Sequence, residues 1–188
     1  PSSRARLPFS IWNKTTAAMT YSVYRKREIA GPKIYDKNIF DSMFPFGGNA
    51  KSFHVFFGKN GFVEYQILVP FNKVEEFVND VTKLIKTEKP PLIVIFMKPF
   101  HGNQKYLRYS GSGITIALDF QRSQATTKTF SKLDDIIISY GAIPNIIKGS
   151  SKRIVQSCFP EYHKFIDELK KFDPRRIYKS DISEKLGL

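Results

Sequence analysis

Three short runs between Phe62 and Phe120 set the hydrophobic pattern of this chain. Side chains alternate across an extended strand. In the run Phe62 to Pro70, Val63, Tyr65, Ile67 and Val69 therefore share one face, and Glu64 and Gln66 take the other. The run Gly113 to Phe120 divides in the same way. Ile114, Ile116, Leu118 and Phe120 line one side, with Thr115, Ala117 and Asp119 opposite. The middle run, Pro91 to Phe100, is apolar on both sides except for Lys98, which shares a face with Val94, Phe96 and Phe100. A sheet built from these runs has one greasy face and one that carries Glu64, Gln66, Lys98 and Thr115. Antiparallel sheets often leave a face to water, so a solvated face is one reading. Against it, Val94, Phe96, Phe100 and Ala117 stand among those polar groups. Apolar walls with a few placed polar groups suit a ligand site better.

Between the strands the period changes to that of a helix. Val74, Phe77, Val78, Val81, Leu84 and Ile85 recur at helical spacing, with Asn72 as the expected N-cap and Glu75 as its capping-box partner. Pro90 and Pro91 end this segment. A second helix is expected from about Thr127 to Tyr140, with Phe130, Leu133, Ile137 and Tyr140 on one side and Gly141 as its stop. Ala142 to Ser150 reads as a loop. A third helical stretch starts near Ser151 and bends at Pro160. Its second half is expected to bury Tyr162, Phe165, Ile166, Leu169 and Phe172, and Asp173-Pro174 ends it. Ser180 to Leu188 reads as a short amphipathic helix.

Upstream of Phe62 the pattern is weaker. Pro1 to Pro8 is expected to be a mobile lead-in, with residues 1–18 outside the domain and 19–188 inside it. Met19 to Tyr24 alternates weakly, as a strand would. Ile39 to Phe46 gathers large apolar residues around Pro45. Ser52 to Phe57 is expected to form a hairpin with Phe62 to Val69 through Gly58-Lys59-Asn60-Gly61. The order strand, helix, strand, strand, helix lets the helices cover only the greasy face. That is an α+β arrangement of ferredoxin-like type, with the other sheet face open.

Composition narrows the function classes. At 188 residues with 41% hydrophobic content, the chain has enough material for one packed domain. No apolar run is long enough to span a bilayer. No secretory leader is evident, and the single Cys158 excludes an internal disulfide. A cytoplasmic location fits, and the opening Pro1-Ser2-Ser3-Arg4, without Met, suggests a piece of something longer. The net charge of +13 favours an anionic partner such as nucleic acid, phosphate or a lipid surface. Yet the densest basic groups, Arg25-Lys26-Arg27, Lys170-Lys171 and Arg175-Arg176, are short, and a generally basic, solvated surface explains them. No phosphate-binding glycine loop and no nucleophile elbow occurs. His54, His101 and His163 stand far apart, so no metal site is expected.

Three segments together resemble a known family. They are Phe62 to Pro70, Gly113 to Phe120, and the ending Phe172-Asp173-Pro174-Arg175-Arg176-Ile177-Tyr178-Lys179-Ser180-Asp181 with Leu186-Gly187-Leu188. They are similar to the C-terminal half of FAD-linked oxidases of the vanillyl-alcohol-oxidase superfamily, above all the decaprenylphosphoryl-ribose 2'-oxidase family. The resemblance implies a substrate-binding domain whose inner sheet face closes over the flavin of an N-terminal FAD domain. Under it, Glu64, Gln66, Lys98, Phe100, Thr115 and Ala117 face the substrate. Gln66 keeps the family's residue, whereas Glu64, Thr115 and Ala117 depart from it. Lys148 matches the family's loop lysine near the flavin.

Lys98 and Lys148 are then the candidate catalytic groups, and Lys148 also the cofactor-binding one. FAD would belong to the intact protein and not to this chain alone. The implied substrate is a sugar or polyol, lipid-linked in some members, which is compatible with association at a membrane surface. An ammonium beside the flavin stabilises the charge that reduction places there. Without the resemblance, Lys148 reads as a solvated loop lysine, and Lys98 as half of a structural pair with Glu64. The rival function is a stand-alone ferredoxin-like module that grips RNA or another polyanion through its sheet. Against nucleic acid, Glu64 and Asp119 are acidic, and basic residues do not interleave with aromatics on that face.

Overall fold

The computed structural model describes residues 9–31 and 57–188. The chain divides into two compact units, Pro1–Phe62 and Val63–Leu188. The expected lead-in Pro1 to Pro8, the apolar cluster Ile39 to Phe46 and residues 52–56 of the expected hairpin lie outside the described residues.

In the first unit, α1 spans Lys14–Ile29. The Asn13 carboxamide starts it, accepting from the backbone N–H of Thr15 at 2.9 Å and of Thr16 at 3.1 Å. The segment Met19 to Tyr24 is therefore helical and not the strand its alternation suggests. Met19 and Val23 remain exposed, so no buried face enforces that alternation. Local capping decides the conformation instead. Phe57 does not extend the expected hairpin strand: it leads directly into a 3-10 turn, Gly58–Asn60, and its ring packs on Trp12. Gly58 sits at a φ of 61°, where a Cβ would lie 2.5 Å from the Phe9 carbonyl oxygen. Only glycine fits there.

In the second unit the elements follow the expected order. They are β1 (Phe62–Pro70), α2 (Val74–Glu88), β2 (Leu92–Phe100), β3 (Gly113–Gln121), α3 (Gln124–Tyr140), β4 (Ile143–Pro144), α4 (Lys152–Cys158), α5 (Tyr162–Phe172) and α6 (Asp181–Leu186). The sheet runs β2-β3-β1-β4 and is antiparallel, so the fold is α+β. β4 pairs Ile67 with Pro144 and Leu68 with Ile143, inside a segment that reads as a loop. Two residues are too few for alternation to show. β3 starts tight against the end of β1: a Cβ on Gly113 would lie 2.0 Å from the Val69 carbonyl oxygen.

The helices lie on the greasy face. Tyr65, Ile67 and Val69 of β1 and Ile116, Leu118 and Phe120 of β3 join Phe77 and Val81 of α2 and Leu133 and Ile137 of α3 in one core. The helix starts differ from expectation. Asn72 does not cap α2: the chain leaves β1 through a 3-10 turn, Phe71–Lys73, and Lys73 precedes the helix without a side-chain cap. The turn occupies the position that Asn72 would need, so the capping box with Glu75 does not form. α3 starts at Gln124, capped by Ser123, whose hydroxyl accepts from the Thr126 N–H. Gly141 ends it in the left-handed region, as expected.

The break at Pro160 separates α4 from α5. Tyr162 is buried, but Phe172 is 74% exposed, because the last turn of α5 overruns the core. α6 is capped by Ser180 in a capping box with Ser183 and buries Leu186. Cys158 lies in the core, where burial pushes its thiol up to about 11. No helix among the described residues is long and apolar enough to cross a membrane.

Candidate functional site

The second sheet face forms as alternation requires. β2 and β3 pair Phe100 with Gly113, Lys98 with Thr115, Phe96 with Ala117 and Val94 with Asp119. Directly opposed residues point to the same side of a sheet. Lys98, Phe100, Thr115 and Ala117 thus share a face, and Glu64 and Gln66 of β1 lie on the same side, opposite to the buried Tyr65, Ile67 and Val69.

Two loops wall this face. The loop after β4 lies against β1. There the Asn145 side-chain amide donates to Gln66 Oε1 at 2.6 Å, and the Asn145 backbone N–H donates to the Gln66 carbonyl at 2.8 Å. The same loop delivers Lys148, whose Nζ meets Glu64 Oε2 at 2.9 Å. The second loop, between β2 and β3, carries Tyr109. Its hydroxyl donates to Thr115 Oγ1 at 3.2 Å and its ring packs on Phe100. Thr115 and Ala117 are buried on this face. The face is neither open water nor core. It is a half-buried strip of polar side chains among apolar ones, referred to below as the trough.

The Lys98–Glu64 pair does not form. β3 lies between β1 and β2, so the two side chains stand two strand spacings apart, roughly 9–10 Å. Lys148 takes Glu64 from the other side instead. Lys98 is exposed and makes no ion pair or hydrogen bond among the described residues. The structure thereby separates the two candidate lysines: one is held and about two-fifths exposed, the other unengaged on an edge strand.

Asp119 is the residue that the sequence reading leaves outside the site. It stands on the same face, and its Oδ1 is sealed from solvent without a hydrogen-bond partner. Burial, reinforced by the Glu64 charge and opposed by Lys148, pushes its carboxyl up to about 6. The signal was present in the sequence, since Asp119 continues the alternation of Thr115 and Ala117. What the pattern could not show was that its neighbours would leave it unpartnered.

On the helix side, Tyr65 of β1 does structural work. Its hydroxyl donates to the Asp134 carboxylate of α3, whose other oxygen accepts from the Ser151 hydroxyl at 2.8 Å. Burial and the adjacent Asp134 raise the Tyr65 phenol well above its usual range. The network locks β1 to α3 and α4, and so fixes Glu64 and Gln66 on the opposite face.

No family model matches the chain. Over 134 residues it is 24% identical to a decaprenylphosphoryl-β-D-ribose oxidase of Mycolicibacterium smegmatis, a match that covers 70% of this chain and 29% of that protein. The chain thus spans less than a third of that relative's own length.

Proposed function

We propose that this chain is the substrate-binding part of an FAD-dependent oxidoreductase that acts on a hydroxyl of a sugar or polyol, lipid-linked in the manner of the relative's substrate. The observation that carries this reading is the trough itself. Glu64, Gln66, Lys98, Phe100, Thr115 and Ala117 are spread over three strands, and strand pairing and alternation bring them to one sheet face with Lys148 beside Glu64. These are the positions that the resemblance assigns to substrate and flavin. The similarity to a named oxidase supports the same reading.

The residues fit a flavin at the Lys148 end. A half-exposed ammonium beside this face can meet the electron-rich edge of the ring, while the Glu64 carboxylate fixes its position. Lys148 would hold the cofactor there. FAD, when bound, accepts a hydride from the substrate carbon. The chain's own residues bind and orient: Lys98 donates hydrogen bonds to ligand oxygens, Phe96 and Phe100 give an apolar wall, and Gln66, with its Oε1 engaged by Asn145, offers its amide N–H. Glu64 disfavours an anionic group beside it. A phosphate, where the substrate carries one, is therefore placed away from this end.

The test is anaerobic mixing of the flavin-loaded protein with sugars and polyols while the flavin absorbance is followed. The reading requires bleaching by at least one of them. No bleaching by any, in a protein that binds FAD, overturns it.

A further inference from the structure

We propose that Asp119 is the proton acceptor of this face: its unpartnered carboxylate takes the hydrogen bond of a substrate hydroxyl and receives that proton when the adjacent C–H bond breaks. The inference rests on the oxidoreductase reading given above and goes beyond it by placing the base.

Each of the other acceptor residues on the face already has a partner, Glu64 through its Oε2 only. Glu64 is held by Lys148, Gln66 Oε1 by Asn145 and Thr115 by Tyr109. Lys98 carries donors only. Among the acceptors, Asp119 alone makes no hydrogen bond with a described residue. Its Oδ1 is buried and unpartnered, while the residue as a whole is only half-buried. The charged groups that act on it are Glu64 from β1 and Lys148 from the loop after β4, with the apolar Val94 opposite on β2. One cation and two carboxylates leave this end slightly negative when all are ionised. A neutral hydroxyl suits it better than a phosphate does.

Burial first, then Glu64, raises the proton affinity of Asp119 well above that of an ordinary carboxylate, while the group stays largely ionised at neutral pH. That combination defines a useful base. In the step proposed, the hydroxyl O–H bond breaks and its proton passes to Asp119. The carbon's hydrogen leaves with its electron pair to a flavin-class acceptor. The oxygen keeps the O–H pair and forms the carbonyl. The alcohol is oxidised by two electrons, the acceptor is reduced by two, and Asp119 then returns its proton to water.

Two measurements decide this. In the first, the Asp119 carboxyl is followed by carbon-13 NMR against pH, with and without xylitol. The expected result is a midpoint near 6 that moves downward as xylitol binds, because a hydroxyl donor favours the carboxylate. A midpoint that xylitol leaves in place overturns the proposal. In the second, the rate of flavin bleaching by an oxidised polyol is measured across pH in the wild type, Asp119→Asn and Asp119→Glu. Asp119→Asn should slow reduction on the order of 10²–10⁴-fold and abolish the acid limb, and Asp119→Glu should restore part of the rate. An acid limb that persists in Asp119→Asn overturns the proposal. If the wild type is bleached by no polyol, the oxidoreductase reading fails, and the NMR titration still decides whether Asp119 receives a hydroxyl.

Discussion

At the scale of single residues, the two lysines make opposite predictions. Lys98 is exposed and unpaired, so Lys98→Met should leave the melting temperature unchanged. If Lys98 grips substrate, the same change should cost on the order of 2–4 kcal/mol in kcat/KM, read from steady-state or stopped-flow rates. An unchanged rate removes Lys98 from the site. Asp119 behaves differently, because its folded-state affinity for protons exceeds the ordinary value of 3.8 and lies at about 6. Between these values the folded protein binds more protons than the unfolded chain, so stability falls as pH rises through that window. Asp119→Asn removes this loss. It should therefore be more stable than the wild type at pH 7, by on the order of 1 kcal/mol after allowance for screening of a partly exposed group. The difference should vanish below about pH 4. Thermal melts of both proteins at the two pH values check this.

At the scale of elements, the trough depends on what lies behind it. α2 holds the sheet through Phe77 and Val81, both buried. Val81→Asp puts an uncompensated charge into that core and should cost about 3–5 kcal/mol, visible as loss of the cooperative melt in circular dichroism. A melt unchanged from the wild type would mean that α2 does not carry the sheet. The Tyr65–Asp134–Ser151 network is the second support. Tyr65→Phe leaves one Asp134 oxygen without its donor inside the core, for which about 1–3 kcal/mol is expected. Urea denaturation measures it. Because β1 then loses its tie to α3, the variant should also broaden NMR signals of Glu64 and Gln66 on the far side of the strand.

At the scale of the whole molecule, the charge of +13 is spread and not gathered. On the sheet face, Glu64 and Asp119 stand beside Lys148. Binding to RNA, where it occurs, should therefore be a surface effect. Fluorescence anisotropy with a short single-stranded RNA should show affinity that collapses between about 50 and 200 mM salt. Lys98→Met should not alter it. Salt-resistant binding that Lys98→Met weakens would favour the rival, a sheet-face module for nucleic acid.

The sequence by itself determined which residues face which side. Alternation in β1, β2 and β3 depends only on the geometry of an extended backbone, so Tyr65 in the core and Lys98 with Thr115 on the far face follow from residue order. Helical period likewise placed Phe77, Val81, Leu133 and Ile137 inside. Elements without a strong periodic face were not legible. α1 owes its start to the Asn13 carboxamide, and β4 to pairing with Ile67 and Leu68 across the sheet. Only the tertiary structure decided who pairs with whom. Strand order puts β3 between Lys98 and Glu64, gives Glu64 to Lys148 from a distant loop, and leaves Asp119 Oδ1 sealed and unpartnered. Partnership depends on distances between elements far apart along the chain, and local pattern carries no information about those distances.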